Sequence, residues 1–364
     1  MKYIVPEFYQ HFTCKCGECR HSCCEGWPVR ISRQEYYRLL GVKCSKRLRT
    51  KLDNTLKLCP SPSAEIYAEV SSDWRGLCRL HREDGLCELQ AELGESALPE
   101  VCRRYPRSTR RLSETCYSTC SNSCEKVVEQ LMDFKATMRF SELDLPLKPE
   151  LTMSIMPGQY DRSHQSIVIL QDRSMPLQDR FLVLAEYLTG NRVDKGNPQN
   201  LSLAFQFLNL VNQYYVSSAN INEYCAASSD YFYMNDDEPC YEEKQEYITD
   251  KFRTVSEHLE LIYPDWQLLF EQLLVNHMFY FSFPGSSPQE STEEALLSLI
   301  IIYAFLRFHV VSYMAERTDS AQLVDLIAAL FRVISHSDFN QVTVRLIRSL
   351  HCSFQDCILQ LISL

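Results

Sequence analysis

Glycine is scarce in this chain, 10 residues in 364, and the scarcity removes a group of functions. Sites that cradle phosphates or a dinucleotide need glycines where the backbone must approach the ligand closely. No G-x-G-x-x-G, Walker-type loop, H-E-x-x-H or G-x-S-x-G is present, so the common nucleotide, zinc-peptidase and hydrolase signatures are silent. Uninterrupted apolar runs are missing as well. The best, 295–311, is broken by Ser298, Arg307 and His309, which argues for a core helix and against a membrane span. The start, Met1-Lys2-Tyr3-Ile4-Val5-Pro6, has no apolar export region, so a cytoplasmic location is expected.

Charge is short of one sign in each part. Residues 1–124 carry 20 Lys and Arg against 15 Asp and Glu, while the remaining residues carry 17 against 32. Phosphate backbones call for a basic face. The acidic majority therefore excludes nucleic acid as the main partner and suits a basic protein or plain solubility.

What is abundant is cysteine: 13 of 17 fall in residues 1–124, five of them at Cys14, Cys16, Cys19, Cys23 and Cys24. Disulfide scaffolds belong to short secreted chains that cannot build a core, whereas 364 residues with 45% hydrophobic content can. Adjacent cysteines, an odd total and a reducing compartment favour thiolate ligation over bridges. Only Cys16 and Cys19 have zinc-ribbon spacing, and irregular intervals from separated loops suit an iron–sulfur cluster better than one zinc knuckle, although softness leaves both open. Cys116, Cys120 and Cys124, at four-residue steps, are expected on one helical face. The basic run through Arg103, Arg104 and Arg107 follows Cys102. It has two readings, a counter-charge that grips a carboxylate beside the cluster or a solvated loop. His11, His21 and His81 are read as surface or packing residues.

The expected fold class is mainly α: an irregular cysteine-rich metal-binding N-terminal region followed by an all-helical C-terminal body. Residues 1–140 form the metal-binding domain, 141–200 a connecting segment and 201–364 the helical domain. Early helices are expected over 31–40, with a Ser32/Glu35 capping box, and over 46–56 and 123–139. Asp84-Gly85 marks a tight turn that folds Cys78 and Cys87 towards each other. Pro146, Pro149, Pro157 and Gly158 mark a boundary. Three- and four-residue spacing then predicts helices over 177–188, 201–216, 243–263, 266–281, 292–315, 321–334 and 340–361. The stretch 163–170 is the one expected strand, and 225–240 an acidic aromatic loop.

Several of these residues form an ordered pattern. Phe12, Cys14, Cys19, Cys23, Cys24, Gly26 and Trp27 are followed by Cys78, Asp84, Gly85 and Cys87, then by Glu92-Leu93-Gly94-Glu95. Cys102-Arg103, Tyr105-Pro106-Arg107 and Ser123-Cys124 complete the N-terminal part, with Leu273-Leu274-Val275-Asn276-His277, Phe279 and Phe283-Pro284 far downstream. The pattern resembles the bacterial flagellin lysine-N-methylase family along nearly the whole chain, most weakly in the middle third. The resemblance implies a protein-lysine N-methyltransferase that moves a methyl group from S-adenosylmethionine to surface lysines of flagellin and carries a [4Fe-4S] cluster. Carried over by position, the metal ligands are drawn from Cys14, Cys19, Cys23, Cys24, Cys78, Cys87, Cys102 and Cys124, more than one cubane needs. Arg103, Arg104 and Arg107 are the cofactor-binding candidates, and no catalytic residue is assigned. Two departures stand out: Glu125 and Arg79 occupy positions where the family often has proline. The C-x3-C-x2-C spacing of radical S-adenosylmethionine chemistry is also absent. The alternatives are a non-catalytic iron–sulfur or zinc-binding protein and a disulfide-stabilised surface protein.

Overall fold

The structure, a computed structural model, describes residues 2–27, 29–112, 115–144, 151–152, 159–196, 198, 200–218, 221–233, 241–285 and 291–364. Its strands are β1 (Lys2–Pro6), β2 (Val29–Ile31), β3 (Leu56–Leu58), β4 (Ala68–Val70), β5 (Arg107–Leu112), β6 (Thr115–Cys120), β7 (Phe140–Asp144) and β8 (Leu151–Thr152). The first helices are α1 (Arg33–Gly41), α2 (Lys46–Thr55), α3 (Glu88–Leu93), α4 (Glu100–Arg104) and α5 (Glu125–Asp133). Then come α6 (Gln159–Leu170), α7 (Leu177–Thr189), α8 (Ser202–Tyr215), α9 (Asn222–Tyr233) and α10 (Tyr241–Ile262). The last are α11 (Trp266–Phe281), α12 (Thr292–Met314), α13 (Ser320–His336), α14 (Phe339–Arg348) and α15 (Phe354–Ile362).

The helical body is organised around α12. Its most apolar window has a mean hydropathy of 2.0, long and apolar enough for a membrane, yet every residue of that window is buried inside the protein. Helices α7, α9, α10, α13, α14 and α15 pack around it. An apolar helix without a polar face must be covered on all sides. Arg307 is the charged interruption. Its guanidinium lies 3.8 Å from the Trp266 ring centre and donates to Glu260 Oε1 at 2.6 Å, to the Leu364 carbonyl at 3.1 Å and to the Ser256 hydroxyl. A buried charge is tolerated when it is paired in this way.

The N-terminal region contains sheets that the cysteine-rich, irregular reading omitted. A mixed sheet has the order β7-β1-β6-β5-β8, with β1 parallel to β6 and β5 antiparallel to β6. A small antiparallel sheet has the order β2-β4-β3. Tyr3 and Val5 of β1 are fully buried and join a large core that continues through α5 to Leu364. A second, smaller core gathers Val29, Ile31, Leu48, Leu52, Val70 and Leu89, with Cys78, Cys87 and Cys102 packed against it.

Several expectations are corrected. Cys116 and Cys120 lie on β6, not on a helix; alternating Thr115, Tyr117 and Thr119 favour a strand, and the even spacing points both cysteines into the core. The supposed strand 163–170 belongs to α6. Its β-branched Ile167, Val168 and Ile169 suggested a strand, but packing against α7 and α11 buries Ser166, Ile167 and Leu170 at helical spacing. The helix expected over 340–361 is two, α14 and α15, broken where His351 takes a positive φ of 51°. Cys352 and Cys357 form a disulfide there, their Cα atoms 6.3 Å apart. Part of the acidic aromatic loop is α9, while Asp236, Asp237, Glu238 and Cys240 lie outside the described residues, as do Pro146, Pro149, Pro157 and Gly158. The expected Ser32/Glu35 capping box is formed, and Ser291 with Glu294 forms another at the start of α12.

Candidate functional site

The first five cysteines sit on a loop that contains one 3-10 turn, Cys16–Glu18, and is held from outside. Glu125, the first residue of α5 and 1% exposed, takes the Lys15 ammonium and the backbone N–H groups of Arg20 at 2.9 Å and His21 at 3.2 Å. Burial works against the Glu125 charge, but these donors and the Arg20 guanidinium hold its carboxyl below the usual range. The residue that departs from the expected proline is thus the anchor of the loop. Gly17 presses on the Asp84-Gly85 turn so closely that a methyl group there would stand 2.6 Å from the Asp84 carbonyl oxygen. Gly85 makes the turn possible with φ +78°. From the helical body, Asp325 of α13 accepts two hydrogen bonds from Arg20, at 2.9 and 3.0 Å, and Arg332 donates to the His21 carbonyl at 2.8 Å.

The eight predicted cysteines fall into two neighbourhoods. In the first, Cys78 donates its backbone N–H to the Cys24 carbonyl at 2.7 Å. The neighbouring thiols of Cys23 and then Cys78 pull Cys24 far below the ordinary thiol range, and their own values are driven up in turn. Burial raises Cys87, the residue that precedes α3, and Cys102 of α4, and the charge of Cys24 adds to both. In the second neighbourhood burial, then the charges of Glu125, Cys124 and Cys14, push Cys19 up to about 12. Cys124, which caps the start of α5, is raised by burial to about 11. Cys16, outside the expected set, interacts with Cys14. Cys44 and Cys59 stand apart from these interactions as half-buried thiols.

Cys23 and Cys78 adjoin Cys24, and its charge reaches Cys87 and Cys102; sulfur donors of this kind suit a thiolate-bound group. Among the described residues no three or more His, Cys, Asp or Glu side chains stand in an arrangement that would hold a metal ion. His81 lies beside Cys24, with its Nε2 buried and without a partner.

The three expected cofactor arginines do not converge. Arg103 and Arg104 both pair with Glu100, while Arg107 lies 4.9 Å from the Phe12 ring centre. Three non-cysteine members of the motif, Trp27, Tyr105 and Ser123, converge instead, on a residue the sequence did not single out. Trp27 meets the His336 ring at 4.3 Å and the Tyr105 ring at 4.8 Å, both edge to face. Ser123 Oγ hydrogen-bonds His336 Nε2 at 2.9 Å and the Tyr105 hydroxyl at 3.1 Å. Tyr105, held well above its ordinary value by burial, is raised further by the charges of Cys124 and Cys23, one from each sulfur neighbourhood. Burial of the inner side of His336, and then the Arg332 charge, lower its ring to about 4, so it is neutral at physiological pH while the residue stays open to solvent.

The downstream motif is a brace. Asn276 Nδ2 donates to the Cys120 carbonyl at 2.9 Å and to Asn122 Oδ1, and its Oδ1 accepts from the Thr119 hydroxyl at 2.6 Å. These bonds stitch α11 to the end of β6, just before Ser123 and Cys124. His277 packs against Phe281 and Phe331, and burial lowers it to about 3.

Comparison with known proteins places relatives alongside this geometry. Residues 187–348 match the FliB lysine N-methylase C-terminal domain. A lysine-N-methylase of Salmonella choleraesuis is 26% identical over 154 residues, 42% of this chain and 38% of that protein. One of Salmonella typhimurium is 24% identical over 162 residues, again 42% and 38%. A flagellar biosynthetic protein, FliU, of Salmonella muenchen is 26% identical over 137 residues, 38% of this chain and 80% of that protein. The match thus spans well under half the length of the two methylases. No solved structure matches the chain.

Proposed function

Because residues 187–348 match the FliB lysine N-methylase C-terminal domain, we propose that the chain methylates lysine side chains of a protein, with S-adenosylmethionine as donor and flagellin as acceptor. The observation that carries the reading is the family match in the helical body, joined to the meeting of the N-terminal motif residues at the end of α13. The flagellar name of one relative supports the acceptor. The acidic body supports a lysine-bearing partner, since opposite charge steers encounter.

In the proposed reaction the lysine ammonium loses a proton, and the amine lone pair forms a bond to the sulfonium methyl carbon. The carbon–sulfur bond breaks, and a neutral thioether leaves. A displacement of this kind needs a neutral, aligned amine and a site that excludes water. Cys24, Cys78, Cys87 and Cys102, with Cys23 as neighbour, would hold a [4Fe-4S] cluster. Bound there, the cluster would supply an anchoring point for the amino acid end of the donor. Arg103 and Arg104, on the same short helix as Cys102, are the proposed counter-charges to its carboxylate.

Anaerobically purified protein should contain iron and sulfide and should add methyl groups to flagellin lysines in the presence of S-adenosylmethionine, read by mass spectrometry. Cys24→Ala and Cys102→Ala should lose iron that Cys44→Ala retains. Zinc without iron would end the cluster assignment. Absence of methyl transfer to any protein by iron-loaded enzyme would end the methyltransferase reading in favour of a non-catalytic metal protein. Equal rates on unrelated lysine-rich proteins would remove flagellin alone.

A further inference from the structure

Trp27, Tyr105, Ser123 and His336 come from four separate segments, yet they form one connected group. The Ser123 hydroxyl occupies His336 Nε2, which fixes the ring and leaves Nδ1 on its other side. His336 is also the last residue of α13, a helix of 17 residues. The C-terminal end of such a helix carries partial negative charge from carbonyl groups that point out of the last turn. Aromatic faces and a helix C-terminus both favour a cation, and a neutral imidazole accepts from its N–H groups without opposing its charge. The Arg332 guanidinium, whose positive charge is felt at His336, donates to the His21 carbonyl and faces Glu25, which holds it on the cysteine loop and offsets its charge.

We propose that the Trp27–Tyr105–His336 group is the docking site of the incoming lysine: its ammonium sits against the Trp27 ring and donates to His336 Nδ1, beneath the end of α13. The proposal rests on the methyltransferase reading for the identity of the cation. Ser123 and the Tyr105 hydroxyl are positioning groups that hold the imidazole. The site lies next to both sulfur neighbourhoods through Tyr105, which places the amine where a donor anchored on the cysteines can meet it.

The test labels the three tryptophans, Trp27, Trp74 and Trp266, with 5-fluorotryptophan and titrates n-butylammonium into the full chain. The Trp27 fluorine resonance, assigned from Trp27→Phe, should shift saturably. Trp266, already covered by Arg307, and Trp74, exposed beside Arg75, should not. In methylation assays Trp27→Ala should raise the KM for the acceptor protein about tenfold, within the range a cation–π contact supplies. The KM for the methyl donor should stay unchanged. Trp27→Phe, which keeps an aromatic face, should recover most of the loss, and His336→Gln should be intermediate. A Trp27 resonance that ignores n-butylammonium, or an acceptor KM unaffected by Trp27→Ala in an active enzyme, overturns the site and leaves the methyltransferase reading standing. If the wild type methylates nothing, that reading falls, and the fluorine titration alone decides whether the cation site exists.

Discussion

The helical body and the cysteine-rich region are held together by different means. In the body, α12 is buried along almost its whole length, and bulky side chains such as Phe305 and Phe308 contribute the stability through burial. In the region that carries Cys14 to Cys24, the chain has little apolar surface to bury. It is fixed by a carboxylate, two glycines in close approach and ion pairs to α13. A loop held by polar ties opens at lower cost than a packed helix. Cys14 to Cys24 therefore lie where structure is easiest to change, while the helix that supplies His336 belongs to the part that is hardest to change.

The largest effect expected on this contrast is in the body. Phe305→Ala should destabilise the fold by about 3–5 kcal/mol, as deletion of a fully buried aromatic does. The urea unfolding midpoint would move for the helical signal as a whole. An unchanged midpoint would mean that α12 is not the centre of the body.

A smaller and local effect is expected at Glu125. Glu125→Ala should cost about 1–3 kcal/mol through the donors it leaves unpaired, with loss of hydrogen-exchange protection over residues 14–25 and none in α12. Loss spread through α12 would erase the distinction between the two regions. Acid should imitate the variant. The folded-state carboxyl is held below its ordinary value, so its stabilisation is full above the unfolded glutamate pKa of about 4.3 and is lost as pH falls through the lower folded value. Hydrogen exchange of the loop measured down that range should show it opening before the body does.

The smallest effect is expected from Asp325→Asn, which weakens the partly exposed pair with Arg20. Such pairs contribute about 0.2–1 kcal/mol and weaken with salt. The variant should therefore differ from wild type in loop protection at low ionic strength and converge on it at high. A difference that persists in high salt would show that Asp325 acts through something other than charge.

Much of the body was legible because its helices bury a regular face: α11 begins and ends where the periodicity placed it, and α12 falls one residue short of its expected end. The sheets were not legible. The strands β2, β3 and β4 have three residues each, too few for a period of two to stand out. In β6 the cysteine spacing of four fits a strand face as well as a helix face. At the site, the cysteines and their segments were visible, but His336 was not, because nothing in Ser335-His336-Ser337 distinguishes it before α13 is packed against Trp27 and Ser123.

By itself, the sequence determined the composition of the two regions: thiols and turns in the first third, apolar helices beyond, and an ordered set of motif residues. These are properties of local spacing, which the chain carries before it folds. Only the tertiary structure decided which of those residues meet. Ser123 and His336 are 213 positions apart, and their contact depends on Asn276 joining α11 to β6 and on Arg332 and Asp325 holding the cysteine loop against α13. Such long-range contacts arise from the packing of whole elements, and no local pattern encodes them.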